Sequence, residues 1–208
     1  MPFVARHAVT HARIDITQIA NPRQELQAEL LICQLCEERM IVRQGMIIRP
    51  HFAHQRACAL AYEGHPESPE HLLGKEYMSR WLRGQSTLAG ACVELEVPIH
   101  ARKRIADILV TFPHGHKLAV EIQLASITTE QLMARTKDYL DDGIDVIWVF
   151  GGNALRSPSN LDWCKRTLGE YFQLMFVDTP SLANVELAIP SPSAVHTSHP
   201  AAGANNRR

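Results

Sequence analysis

Two apolar stretches decide how this chain folds: Arg104-Ile105-Ala106-Asp107-Ile108-Leu109-Val110 and Lys117-Leu118-Ala119-Val120-Glu121-Ile122-Gln123-Leu124. Each reads as a β-strand with an acid set into its middle. Aspartate is depleted in strands, so Asp107 in particular needs a reason to be there. Between them lies Pro113-His114-Gly115-His116. A three-residue loop at 113–115, with Gly115 left-handed, satisfies the hairpin rules. It pairs Phe112 with His116 and sets Asp107 opposite Glu121. A four-residue loop would put the two acids on opposite faces. Glu121 and Gln123 share a face because side chains alternate along a strand.

The pattern extends outward from this hairpin. Ser68-Pro69 predicts a helix start, with serine as N-cap and proline at the first helical position; the helix runs to Arg83 and stops at Gly84. Strands are expected near 92–99, 104–112 and 117–125. Thr128 with Gln131 makes a capping box, and that helix ends at Gly143. Residues 144–150 form a nearly continuous apolar run, as in a strand buried on both faces. A helix near 160–170 and a strand near 172–178 follow. The order predicts an α/β sandwich around a mixed sheet.

On the first helix, Leu73, Tyr77 and Trp81 follow Glu70 at helical spacing, which places Glu70 in the centre of the apolar stripe. Glu67 lies about 60° away, taking 100° per residue. Asp107, Glu121 and Glu70 would then converge, and carboxylates held together repel unless something neutralises them. A divalent cation is the simplest candidate. Hard ions such as Mg²⁺ or Mn²⁺ take carboxylate and water ligands, and such a site suits phosphodiester hydrolysis. A solvated sheet face, or an ion pair to Arg102 or Arg104, would also accommodate either strand acid alone. An acid in a first helical turn also complements the helix dipole.

Upstream, Cys33-x-x-Cys36 and His51-x-x-His54 are separated by fourteen residues, close to zinc-finger spacing. Cysteine and histidine suit a structural zinc site. Cys58 is a substitute ligand, and Arg39, Arg43 and Arg49 could bring the module onto DNA. A redox role for Cys33-x-x-Cys36 lacks the surrounding strand–helix unit. Cys92 and Cys164 read as small buried residues.

The chain has 208 residues, 46% of them apolar and 21% charged, with a net charge of −1 and eleven histidines. No global field draws it onto nucleic acid, so binding would need a local basic patch. No apolar run approaches the roughly 18 residues of a membrane span, and the N-terminus lacks a hydrophobic signal segment. A cytoplasmic protein with reduced thiols is expected. Residues 1–60 form N-terminal strands and the zinc-binding module, 67–178 the α/β domain, and 179–208, rich in Pro, Ser, Ala and Asn, a disordered tail.

With these residues in view, the chain resembles the competence protein CoiA-like family, within the PD-(D/E)xK nuclease superfamily. The likeness runs from Leu31 to Phe150. It covers Cys33-x-x-Cys36, Pro50-His51-Phe52-Ala53-His54, Glu67-Ser68-x-x-His71 with Lys75, Arg104-x-Ala106-Asp107, Glu121-Ile122-Gln123, Arg135-Thr136-x-x-Tyr139 and Ile147-Trp148. It implies a restriction-endonuclease-like core behind the zinc module, and a Mg²⁺- or Mn²⁺-dependent nuclease acting on single- or double-stranded DNA. Protein partners in DNA processing are implied as well. Asp107 takes the aspartate position of the motif, Glu121 the second acid and Gln123 the lysine, with Glu67, His71 and Tyr139 as further candidates. Ala106 replaces the motif proline. Gln123 can orient water or phosphate but brings no positive charge, which Lys75 or Arg135 could supply. Three functions remain open: an active nuclease, a nuclease-derived DNA-binding factor that does not cut, and a docking module built on the zinc site.

Overall fold

The computed structural model describes residues 2–45, 48–56, 67–99, 104–175 and, in backbone alone, 176 and 185–188. Cys58 and the 59–66 connector lie outside the described residues, as does Arg102.

A six-stranded mixed sheet organises the molecule. In chain order the N-terminal part contributes β1 (Val4–His7), β2 (Arg13–Asp15), a short α1 (Pro22–Glu25), β3 (Leu31–Ile32), β4 (Met40–Arg43) and β5 (His51–His54). Then come α2 (Pro69–Arg83), β6 (Cys92–Ile99), β7 (Arg104–Thr111), β8 (Lys117–Gln123), α3 (Thr129–Asp141), β9 (Ile144–Gly151), α4 (Pro158–Thr167), β10 (Phe172–Phe176) and β11 (Val185–Ala188). The large sheet has the order β11-β10-β9-β8-β7-β6. Its β6–β7–β8 meander is antiparallel, β8–β9–β10 is parallel, and β11 is antiparallel on the edge.

The local signals act as their chemistry requires. Ser68 Oγ accepts from His71 N–H at the start of α2, and Thr128 and Gln131 complete a reciprocal capping box on α3. In the β7–β8 hairpin Phe112 N–H donates to the His116 carbonyl at 2.8 Å and Gly115 has φ +88°. Ile108 therefore pairs with Val120 and Thr111 with Lys117.

Residues 185–188 differ from the expectation of an unstructured tail: they form β11, paired from Gln173↔Ala188 to Phe176↔Val185. Composition argued against structure there, but the free edge of β10 offers a row of unpaired backbone groups that a strand satisfies.

Two cores flank the sheet. On one face α2 contributes Leu72, Leu73, Met78 and Leu82 against Ile108, Val110, Val120 and Ile122. On the other, Leu132 and Tyr139 of α3 and Cys164 of α4 pack on Leu109, Ala119, Trp148 and Phe150. Burial alone pushes the Cys164 thiol up to about 12, as suits a small core residue, whereas Cys92, expected to be buried as well, is exposed at the start of β6 on the sheet edge. Helix α2 lies close to the sheet because Gly74 faces it; a Cβ there would stand 2.8 Å from Leu174 Cδ2. Among the described residues the N-terminal part has no separate core: Phe3, Val4, Ile16, Leu31, Met40 and Phe52 join the α2-side core.

Candidate metal centre

The site forms where the sheet stops being regular. From Cys92↔Thr111 to Leu95↔Ile108 the β6–β7 pairs are continuous, and they resume at Val97↔Ala106 in the same register. Glu96 and Asp107, which face each other across this break, are skipped. Glu96 has φ +52°. Across the break the inward faces exchange: Val93, Leu95 and Ile108 contact the α2-side core, whereas Val97, Ile99 and Ala106 contact the α3-side core. The β7–β8 ladder also ends at Ile108↔Val120. Beyond it, side chains replace backbone bonds: Asp107 Oδ2 accepts from Ile122 N–H at 2.9 Å, and Asp107 N–H donates to Glu121 Oε1 at 3.3 Å.

Freed from the ladder, Asp107 meets α2. Its Oδ2 lies 3.3 Å from His71 Nε2, which is also 3.0 Å from the Ile122 carbonyl. His71 Nδ1 lies 3.2 Å from Glu67 Oε1. Glu67, His71 and Asp107 thus offer three donor atoms within 4.8 Å of one another. Lys75 stands one turn further along, bonded through Nζ to Glu67 and to Glu96. Charge complements charge throughout. Burial alone would lower the basicity of His71, but Asp107 and then Glu67 outweigh it and hold the ring at about 10. Burial likewise opposes ionisation of Asp107, yet the His71 cation brings it down to about 2. Burial also acts against the Glu67 anion, and Lys75 and His71 together keep its carboxyl below the ordinary value.

The expected trio of Glu70, Asp107 and Glu121 is not what the structure brings together. Glu70 is exposed. The buried line of α2 runs through Lys75, Met78, Ser79 and Leu82, and two of these polar residues disguise it in the sequence. Tracing that line back four residues at a time from Lys75 gives His71 and Glu67. Glu121 is a neighbour of Asp107 but engages the opposite side. Fully buried, it accepts from Tyr139 Oη at 2.6 Å and from Arg135 Nη2. Burial raises its pKa while Arg135 opposes the rise. The Tyr139 hydroxyl is raised too, by burial and by the same carboxylate. Arg135 also donates through Nη1 to Gln123 Oε1 at 3.2 Å and lies 5.0 Å from the Trp148 ring. Gln123 Nε2 donates to the Ala125 carbonyl at 2.8 Å. The repulsion foreseen between Asp107 and Glu121 is relieved by separate cations from separate helices.

Glu96 was not singled out in the sequence. The signal was present, since it too is an acid inside an apolar strand, Val93-Glu94-Leu95-Glu96-Val97.

A second donor cluster lies in the N-terminal part. Cys33, Cys36 and His54 gather within 4.8 Å, with Cys36 Sγ 3.3 Å from His54 Nε2 and Leu35 N–H directed at Cys33 Sγ at 3.4 Å. The turn closes through Glu37, at φ +59°. His51 is not part of this group. It sits three residues from His54 on a strand, hence on the other face, and its Nδ1 lies 2.9 Å from the Arg49 carbonyl.

A mixed sheet flanked by helices, with one carboxylate–histidine cluster and one Cys/His cluster, is the class this geometry defines. Residues 67–194 match the family model "Competence protein CoiA, nuclease-like domain", and residues 16–61 match "Competence protein CoiA, N-terminal domain". The chain belongs to the competence protein CoiA family. It is 31% identical over 155 residues to Competence protein CoiA of Bacillus subtilis (strain 168), an alignment covering 74% of this chain and 38% of that relative. The chain thus matches well under half the length of the relative. No solved structure matches it. Among the described residues no helix is long and apolar enough to cross a membrane.

Proposed function

We propose that the chain is a metal-dependent DNA nuclease with a restriction-endonuclease-like core of the PD-(D/E)xK kind, acting on incoming or foreign DNA. The observation that carries this reading is the convergence of His71 Nε2, Asp107 Oδ2 and the Ile122 carbonyl, at 3.3 and 3.0 Å, beside Glu67. One imidazole nitrogen, two carboxylates and a backbone carbonyl form a donor set for Mg²⁺ or, with the nitrogen ligand, better for Mn²⁺. A proton on His71 offsets part of the charge of those carboxylates in the metal-free protein, and a divalent ion that displaced that proton would neutralise both. Once bound, the ion would polarise the phosphate and activate water.

The chain's own residues do the rest. Asp107, held by Ile122 N–H, fixes the metal position against the strand. Glu121, anchored by Tyr139 and Arg135, keeps a negative field next to Asp107 from the other side. Arg135 fills the role left open by Gln123. It touches both motif side chains, remains partly exposed, and its Nε is a buried donor without a hydrogen-bond partner among the described residues. Lys75 is unsuited to meeting DNA phosphate, being 1% exposed and enclosed by two carboxylates. In the N-terminal part, Cys33, Cys36 and His54 would hold a structural zinc ion, with the fourth ligand from elsewhere.

The test is incubation of purified protein with single- and double-stranded DNA in Mn²⁺, Mg²⁺ or chelator. Cleavage should need the metal. Asp107→Ala should reduce it about a thousandfold, the equivalent of several kcal/mol of metal stabilisation; the variant also loses the partner of His71 and of Ile122 N–H, so its thermal transition is measured alongside to show that it is folded. Metal-independent cleavage, or full activity in Asp107→Ala, would refute the assignment. Gln123 at the lysine position favours a second reading, a DNA-binding or processing factor that does not cut. Equal DNA affinity with and without metal, and no cleavage under any condition, would select it.

A further inference from the structure

Glu96 belongs to the β6 strand, yet its carboxylate is held by the N-terminal part of the chain. Phe3 N–H donates to both carboxylate oxygens, at 2.9 Å each, and Val4 N–H donates to Oε2 at 3.1 Å. Oε1 also accepts from Lys75 Nζ at 2.6 Å. The Glu96 carbonyl accepts from Gln34 Nε2 at 2.7 Å, and Gln34 lies in the turn between Cys33 and Cys36. The Phe3 ring packs 5.6 Å from the Lys75 ammonium.

Strand pairing does not require this arrangement. The β6–β7 register is the same on either side of Glu96. A left-handed backbone at a residue with a side chain costs on the order of 1–3 kcal/mol, and a carboxylate that is 4% exposed is costly unless fully paired. Both costs are borne at the one β6 residue opposite Asp107. An unbroken line of contacts leads from the Phe3 and Val4 amides at the start of β1 through Glu96, Lys75 and Glu67 to His71 and Asp107.

We propose that Glu96 is a positioning residue that makes β1 and the cysteine-bearing turn working parts of the centre on α2 and β7, by sharing the charge of Lys75 with Glu67. The proposal rests on the reading of Glu67, His71 and Asp107 as a metal site. Lys75 carries one positive charge between two carboxylates. With Glu96 ionised, the ammonium is balanced from the N-terminal side, and Glu67 keeps negative charge to offer a cation. Without Glu96, the ammonium pairs with Glu67 alone, and both the lost ligand charge and the unbalanced cation weaken metal binding.

The experiment is Mn²⁺ titration by calorimetry on the full chain without DNA, comparing wild type with Glu96→Gln, Lys75→Gln, their double variant and Asp107→Ala. Zinc content and the thermal transition are measured on each. Glu96→Gln should weaken Mn²⁺ binding about 10-fold to 100-fold, as loss of an outer partner of a ligand does, with zinc content unchanged. Adding Lys75→Gln should recover most of that loss, because the uncompensated charge is gone; this coupling is what a merely structural role would not produce. Additive losses, or wild-type affinity in Glu96→Gln, overturn the proposal. If Glu96→Gln fails to fold, Gln34→Ala replaces it. Removing that single hydrogen bond should weaken Mn²⁺ binding about threefold, and an unchanged affinity overturns the proposal. Asp107→Ala separates the two ideas: Mn²⁺ bound as in wild type refutes the metal site itself, whereas binding lost there but kept in Glu96→Gln refutes only the role of Glu96.

Discussion

The two donor clusters of this chain are supported in opposite ways. Glu67, His71 and Asp107 stand on α2 and β7, elements that pack through Leu72, Met78, Ile108 and Val110 whatever occupies the site. Cys33, Cys36 and His54 hang from a two-residue strand and a short hairpin. The buried side chains around them, Leu31, Met40 and Phe52, reach into the core of the neighbouring sheet rather than one of their own. Packing pre-organises the first cluster, so a metal bound there would find its side chains already gathered. Only a small part of the second is held by packing, and a metal there would contribute folding energy directly.

Removing the metal should break the comparison most plainly. If the Cys/His cluster holds zinc, its extraction by a strong chelator, or Cys33→Ser, should strip hydrogen-exchange protection from amides of residues 31–45 and 48–56 while β7, β8 and β9 keep theirs. Structural zinc binding is worth roughly 10 kcal/mol in small modules, far more than the N-terminal strands can replace. Equal protection in both regions would show that the Cys/His part folds by packing alone.

A smaller effect probes the packed side. Tyr139→Phe removes the hydroxyl that donates to fully buried Glu121 at 2.6 Å. Leaving that acceptor short of a partner should cost about 1–3 kcal/mol, seen as a lower urea midpoint. A midpoint equal to wild type would mean that Arg135 and the Asp107 N–H satisfy the carboxylate without the hydroxyl.

The pH dependence sharpens the contrast further. The His71 pKa is raised from 6.5 to about 10 in the folded protein. Its contribution to stability is therefore fully present below about 6.5 and lost as pH rises through 10. The Asp107 pKa is depressed from 3.8 to about 2, so its contribution is present above 3.8 and lost as pH falls toward 2. Urea midpoints in chelator should fall between neutral pH and pH 10, and His71→Gln should flatten that fall. An identical slope in the variant would place the titration elsewhere. The smallest effect expected is at the α3 cap, where Thr128→Ala should cost about 1 kcal/mol without changing Mn²⁺ binding; a change in binding would mean that α3 is set by its cap rather than by its packing.

Elements encoded in neighbouring residues were legible before the structure. The α2 cap at Ser68-Pro69, the capping box on α3 and the hairpin turn at Gly115 each depend on chemistry within a few positions. Strand β11 was not legible, because its reason for forming is the open edge of β10 and not its own composition. Glu70 was placed wrongly for a related reason. Apolar spacing locates a buried helix face only when the buried residues are apolar, and α2 buries Lys75 and Ser79. Those two owe their burial to Glu96, to Glu67 and to a backbone carbonyl on the helix itself, none of which leaves a periodic trace.

The sequence by itself determined the order of helices and strands from α2 to β10, the hairpin register that makes Asp107 and Glu121 neighbours, and the family. Periodicity, caps and turn residues act over a few positions and can be read in a line. Only the tertiary structure decided which acid of α2 meets Asp107, that Glu121 is held by Tyr139 and Arg135, that His54 rather than His51 joins the cysteines, and that Glu96 ties the N-terminal strand to the centre. Each of these depends on how far a strand is kinked or a helix rotated, and therefore on which charges must be buried together.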